Sequence, residues 1–411
     1  MIAEGPLLLS RERDRYLSGM PHTRLTFLLL SSAVAAQTTH FVGAGGFPQI
    51  RNALAIAASG DVIVVQSGTY AQFDVTVGVT IRALVPGAVT IAYNAAFAPP
   101  GCATTPGCPA TQGPTRFLVP NGQTAHVVGL RFDGSYTGQV PFVSGRVEVT
   151  GGLVTFDQCE FLSTAPVALR IDQAQVHMQH CTATGLSFVN PGTQGVYATQ
   201  SYVTVVGGSF TGGSIALGSG LAADGLRLDN TFFYGSGFTA LGGLSASAQP
   251  GLGIRANGGE TWVSNASITG GNNTCGLQVP TGLHFARITS AVPACAMQGG
   301  GVLGVLRPAP LQIGTTFTLD FRTVPNGFAA VLASQQLTTN DTSGLLYPEP
   351  FLDPTGLLDG GLVVANASGS AIASYAVPNS AALVAQTFWF QGITGLTLPL
   401  LTSPVVGGLV R

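Results

Sequence analysis

The chain has 411 residues, a net charge of -2 and only 8% charged residues. That balance offers no basic stripe for nucleic acid and no acidic tail for a charge-driven partner. All 16 basic residues are arginine, and the 56 glycines lack the three-residue period of collagen.

The N-terminus reads as an export signal. Met20 opens a segment with Arg24 as the positive region and an apolar run over 25–30, too short to span a bilayer. Small residues over 33–36 supply a peptidase site, so 1–36 is expected to be a mis-assigned start plus signal peptide. The mature chain is expected to be secreted and extracellular or attached to the cell envelope, with no membrane span.

"FPQIRNALAIAASGDVIVVQSGTY" (47–70) begins with Phe47, Ile50, Leu54 and Ala57 on one helical face. Gly60-Asp61 then turns into a strand over 62–65, followed by Gly68-Thr69-Tyr70. A short helix here can cover the open strand edges at the end of a solenoid.

From residue 125 the chain repeats. "AHVVGLRFDG", "VTFDQCEFLS", "VHMQHCTATG", "VTVVGGSFTGG", "LRLDNTFFYGSG" and "TWVSNASITGG" each alternate, turn and alternate again. Units of twenty-odd residues built of short strands indicate stacked coils. Period-two alternation puts Val127, Phe156, Met178, Val205, Leu228 and Val263 in one inward column. A second holds Phe132, Phe161, Ala183, Phe210, Phe233 and Ile268. These coils and the entry segment resemble right-handed parallel β-helix proteins of the pectin-lyase-like group, here a secreted bacterial chain. The resemblance implies a β-helix over 37–300 with an N-terminal capping helix. It does not carry catalytic residues across, because the Asn-x-Asp, Asp-Asp, His-Gly and Arg-x-Lys motifs of the polygalacturonases are absent.

The six cysteines permit disulfides in an exported chain. Cys102 and Cys108 flank a turn-rich stretch, and Cys275 and Cys295 could close a further loop. Cys159 and Cys181 are column mates, left open between a strained bridge and a buried pair of thiols. Beyond residue 300 the coil pattern stops. Alternating strands joined by Pro, Gly and Asn turns read as a small antiparallel β-sandwich over 305–411. The charge-free stretch 381–410 is broken by Gly and Pro too often for a membrane helix.

His177, His180 and Cys181 suggest a metal site, but the register sends them outward, into a turn and into the core. No metal is expected, since zinc needs convergent donors. One outward column reads His126, Thr155, His177, Thr204, Arg227, Trp262, and its neighbour includes Asp157 and Asp229. A face with His, Arg, Trp and Asp side by side suits sugar rings and uronates. His126, Asp157, Asp224 and Trp262 are therefore candidate substrate-binding residues, and His177, Arg227 and Asp229 candidate catalytic ones.

These readings make the chain all-β, a right-handed parallel β-helix followed by a small antiparallel β-sandwich. The expected role is a monomeric, cofactor-free surface for a polysaccharide or envelope polymer, without catalysis. The alternatives are a lyase or glycoside hydrolase acting on acidic glycans, with Ca²⁺ a candidate cofactor only for the lyase, and a structural spacer. A lyase would have Arg227, His177 or Tyr234 as base.

Overall fold

A computed structural model describes residues 37–410 apart from 93–113, 135–146, 165, 187–191, 216–221, 246–248, 275, 279–282, 292–310, 323–325, 336–345, 348–351, 353–356, 368, 385, 395–399 and 403–405. The expected signal segment and Cys102, Cys108, Cys275 and Cys295 lie outside the described residues.

The chain opens with strand Thr39–Val42 and the short helix Ile50–Leu54. Ile50 and Ala53 are buried, and Phe47, Leu54 and Ala57 pack on the core. Strand Val62–Val65 follows, and then Gly68–Ala71, where Tyr70 donates from its hydroxyl to the Gln66 carbonyl at 2.9 Å. From there to Leu283–Ala291 parallel strands stack into a parallel β-helix with three faces. The first face contains Thr80–Ala83, Thr124–Val128, Leu153–Asp157, Gln175–Gln179 and Tyr202–Val206. The second contains Val89–Ala92, Leu130–Gly134, Glu160–Ser163, Thr182–Gly185 and Ser209–Thr211. The third contains Thr115–Phe117, Val147–Thr150, Val167–Asp172 and Gln194–Thr199. The longer strands Leu226–Ser236 and Ile254–Thr269 wrap around corners and serve more than one face.

Apolar side chains alternate inward on every face and meet in one core. Phe132 stacks on Phe161 at 5.2 Å, while Phe156 meets Phe161 edge-on at 5.1 Å and Phe117 meets Phe156 at 5.3 Å. Such pairs add about 0.5–1.5 kcal/mol each beyond burial. Cys159 and Cys181 are buried free thiols on adjacent coils; the Cys181 thiol donates to the Phe156 carbonyl at 3.3 Å. Burial, and then its Cys159 neighbour, raise the Cys181 pKa well above the ordinary range, so it packs as a neutral thiol.

One coil differs from the register expected above. Val205 is aligned with Gly235, not Leu228, and Phe210 with Ala240, not Phe233. Leu228 instead aligns with Ala198 on the third face, and Phe233 with Val203 on the first. Phe132, Phe161, Phe210 and Phe233 are all buried, but Phe233 leaves the file that the other three share. The cause is Asn230, whose φ of 48° turns the corner from the third face to the first, as Gln173 and Gln200 do on earlier coils. His180, at φ 50°, turns the other corner, from the first face to the second.

Beyond the solenoid, Thr316–Arg322 and Ser370–Ala376 form a two-stranded antiparallel sheet. A second small sheet is built around Phe328–Ser334, Leu358–Val364 and Thr387–Thr394. Phe317 and Tyr375 of the first meet Phe390 of the second, with ring centroids 5.0 and 6.3 Å away.

Candidate functional site

The register of that one coil separates the candidate residues onto two faces. On the first face the outward file runs Thr80, His126, Thr155, His177, Thr204, Tyr234, Trp262. Tyr234 stands where Arg227 was expected, and Ser236 occupies the position expected for Asp229 in the file of Asp157 and Gln179. Arg227 and Asp229 belong to the third face.

The first-face file points out of the solenoid but does not meet solvent freely. Trp389, from strand Thr387–Thr394, lies 5.6 Å from the His126 ring in a stacked pose and 5.4 Å from His177 edge-on. His177 is 3% exposed and Trp262 4%. His126 Nδ1 is 2.7 Å from Thr155 Oγ1, and His177 Nδ1 is 2.5 Å from Thr204 Oγ1. Burial lowers the His126 pKa to about 4 and the His177 pKa to about 3, so both rings are neutral at neutral pH. The space left among His126, Asp157, His177, Gln179 and Trp389 is about 20 Å³, room for one water and not for a sugar. Trp262 packs on Tyr234, and burial raises the Tyr234 pKa well above its ordinary value. Neither the rings of this file nor the Tyr234 hydroxyl is placed to meet a polymer.

The third face is built differently. Strands of a parallel stack place equivalent residues about 4.8 Å apart. Its outward file reads Asp74, Arg116, Glu148, Arg170, Tyr197, Arg227, Arg255, Gln278. Beside it run Thr150, Asp172, Thr199, Asp229 and Asn257. These polar residues alternate with inward Val147, Leu169, Val196, Leu226 and Ile254, which is how a strand with one buried side presents the other.

At its centre the Tyr197 hydroxyl donates to Asp229 Oδ2 at 2.8 Å, and Asn257 Nδ2 donates to Asp229 Oδ1 at 2.7 Å. Burial, and then the bond to Asp229, raise the Tyr197 pKa and keep its proton in place. The Arg227 guanidinium lies 5.1 Å over the Tyr197 ring, with its Nε 3.4 Å from Asp229 Oδ2. One coil back, Thr199 donates to Asp172 at 2.8 Å, while Arg170 stays 3.8 Å from that carboxylate. The ends are pinned more tightly. Arg116 grips Asp74 with two nitrogens, which raises its own pKa, and Arg255 holds the buried Asp224 at 2.7 Å. Asp224 also accepts from the Leu252 amide, so it anchors the face from beneath.

Arg170 and Arg227 are the adaptable cations of this face. Arg170 comes within 3.8 Å of a carboxylate and Arg227 within 3.4 Å, and each is about two-fifths exposed. Tyr197 stands between them, so two guanidinium groups flank an aromatic plate about 10 Å apart. Planar guanidinium groups pair carboxylates through two parallel hydrogen bonds. Among the described residues no group of three or more His, Cys, Asp or Glu side chains converges as a metal site.

Arg170, Tyr197, Thr199, Asp172 and Asn257 were not singled out in the sequence. Each is a lone polar residue in an alternating strand, and only the stacking register brings them together. The signal that could have found them is the corner residue: aligning Gln173, Gln200 and Asn230 puts Arg170, Tyr197 and Arg227 in one file.

No family model matches the chain, and no curated protein matches it. Among solved structures, it is similar to the full-length tailspike protein 2 of Escherichia coli O157:H7 bacteriophage CAB120, at 9% identity and a TM-score of 0.29. That match covers 87% of this chain and 61% of the tailspike chain, so this chain spans less than two thirds of it. The enzymatically active domain of the bacteriophage CBA120 tailspike protein 2 matches at 11% identity and a TM-score of 0.23, over 87% of this chain and 68% of that one. WceF of Pantoea stewartii, a glycan biofilm modifying enzyme with a tailspike-like parallel β-helix fold, matches at 9% identity and a TM-score of 0.25, over 84% and 54%.

Proposed function

We propose that the protein is an exported glycan-binding β-helix whose third face holds an acidic polysaccharide, without cleaving it. The observation that carries this reading is the file Arg170–Tyr197–Arg227, half-exposed and bordered by Asp172, Thr199, Asp229 and Asn257. Arg170 and Arg227 would each take a uronate carboxylate, the exposed part of Tyr197 would support a ring, and Asn257 and Asp229 would meet hydroxyls. A stacked solenoid supplies such a surface over several coils, which suits a long polymer.

Binding fits the carboxylates better than hydrolysis does. A glycosidase needs one carboxyl that donates a proton to the leaving oxygen. Asp229 accepts from Tyr197 and Asn257 beside Arg227, and Asp224 accepts from Arg255 and Leu252, so both serve as acceptors. Of the bases a lyase could use, His177 and Tyr234 are buried and Arg227 alone reaches the face. A bare spacer would not need half-exposed arginines on one file.

Calorimetric titration with oligogalacturonate tests the proposal, with a neutral dextran oligomer as control. Charge-assisted hydrogen bonds contribute roughly 1.5–3 kcal/mol each. Arg170→Ala and Arg227→Ala should therefore each weaken binding about tenfold or more, and added salt should weaken it further. Unchanged affinity in both variants would refute the assignment. Release of unsaturated or reducing products by the wild-type protein would refute the non-catalytic part.

A further inference from the structure

Where the third face turns into the first, the chain offers a second kind of surface. The corner lies at Gly151-Gly152 on one coil and at Gln173 on the next, and Asn121-Gly122 turns it on the coil before. Between them is a cleft of about 290 Å³ lined by Asn121, Gln123, Thr124, Gln173 and Gln175, with Leu153 and Ala174 at its floor. It adjoins the binding face directly, since Gln173 follows Asp172 in the chain.

No lining residue is charged. Two of the amides are fixed by bonds that decide what they present. The Gly78 amide N–H donates to Gln123 Oε1 at 2.7 Å, so the oxygen is taken and the Gln123 NH₂ is left as a donor. Gln173 Nε2 donates to Gln200 Oε1 at 3.0 Å, which leaves its own carbonyl oxygen as an acceptor. Asn121 is exposed and can offer either end of its amide. The cleft thus opposes a held donor to a held acceptor above an apolar floor made by Leu153 and Ala174, both buried.

We propose that this cleft is a subsite for one uncharged sugar residue, engaged through its hydroxyls. A hydroxyl both donates and accepts, so neighbouring hydroxyls satisfy the Gln123 donor and the Gln173 acceptor together, while the C–H face of the ring rests on Leu153 and Ala174. A charged group would lose hydration here and gain no counter-charge, and an apolar ligand would strip the amides of water without replacing it. The size is at the lower end for ligand sites, matching one ring. The inference rests on the glycan-binding reading of the third face and adds that the polymer carries a neutral residue next to an acidic one.

The test titrates the full chain with two sets of probes: cellotetraose, mannotetraose and galactotetraose, and separately tetragalacturonate. The variants are Gln173→Ala, Asn121→Trp, which obstructs the cleft from an exposed position, and Arg227→Ala. At least one neutral tetraose should bind the wild-type chain. Its affinity should fall about tenfold in Gln173→Ala and Asn121→Trp, a loss of one to two neutral hydrogen bonds. Failure of all three neutral probes to bind, or binding indifferent to Asn121→Trp, overturns the subsite. Tetragalacturonate binding that ignores Arg227→Ala would overturn the third-face reading instead, so the two failures are told apart.

Discussion

Acid should loosen the seat of Trp389. The folded chain keeps His126 near pKa 4 and His177 near pKa 3, against an ordinary 6.5, because His177 is buried and His126 part-buried beside that tryptophan. The groups facing them are Asp157, Gln179, Thr155, Thr204 and His180 from the solenoid, with uncharged Thr387 and Trp389 from the C-terminal strand. A histidine pKa depressed by folding means that the unfolded chain takes up the proton first. Its contribution to stability is complete above pH 6.5 and is lost as pH falls toward the folded value. At about 1.4 kcal/mol per pH unit, the two rings together withdraw on the order of 5 kcal/mol or more between pH 6.5 and pH 3. Releasing the strand Thr387–Thr394 would hydrate both imidazoles and relieve that cost without unfolding the coils, so local undocking is the expected response. Of the two tryptophans, Trp389 reports the event by fluorescence, with Trp262→Phe removing the other signal. A transition between pH 5 and 3 is expected in this variant, and it should shift to lower pH when His126→Gln and His177→Gln are added. An identical acid midpoint with and without the two histidines would refute the reasoning.

The core and the thiols give sharper tests of the fold. Phe156→Ala should cost about 3–5 kcal/mol, read as a lower thermal midpoint by circular dichroism, because this ring touches both Phe117 and Phe161. The double variant Cys159→Ala, Cys181→Ala should melt within about 2 kcal/mol of the parent, since no bridge is lost; a drop well beyond 3 kcal/mol would point to a disulfide. Asp224→Ala should destabilise by about 1–2 kcal/mol in urea melts, because Arg255 loses a partner but keeps partial access to water. Arg227→Ala, at a half-exposed position, should change the same melt by less than about 1 kcal/mol.

The solenoid was legible because its signal is periodic and local. The buried columns through Phe156, Met178, Val205 and Val263 follow from alternation, and strand Val62–Val65 from an unbroken β-branched run after the Gly60-Asp61 turn. The slip at "LRLDNTFFYG" has an equally local cause. A solenoid coil has more than one corner, and here two of them use non-glycine residues in the left-handed region, so Asn230 looks like the counterpart of His180 when it is that of Gln200. Choosing the wrong corner moved Arg227 onto the histidine file and Asp229 onto the file beside it, and hid their true neighbour, Tyr197. The cover over His126 and His177 left no trace in the sequence. Trp389 comes from a strand more than two hundred residues away, and nothing near either histidine announces it.

Hydroxyl-radical footprinting with and without oligogalacturonate addresses the central claim most directly. Tyr197, on the third face, should lose reactivity when the ligand is added, whereas exposed Tyr202, on the first face, should keep its own. Protection of Tyr202 with Tyr197 unchanged, or no change at either ring under saturating ligand, would contradict the assignment of the arginine–tyrosine file as the binding surface.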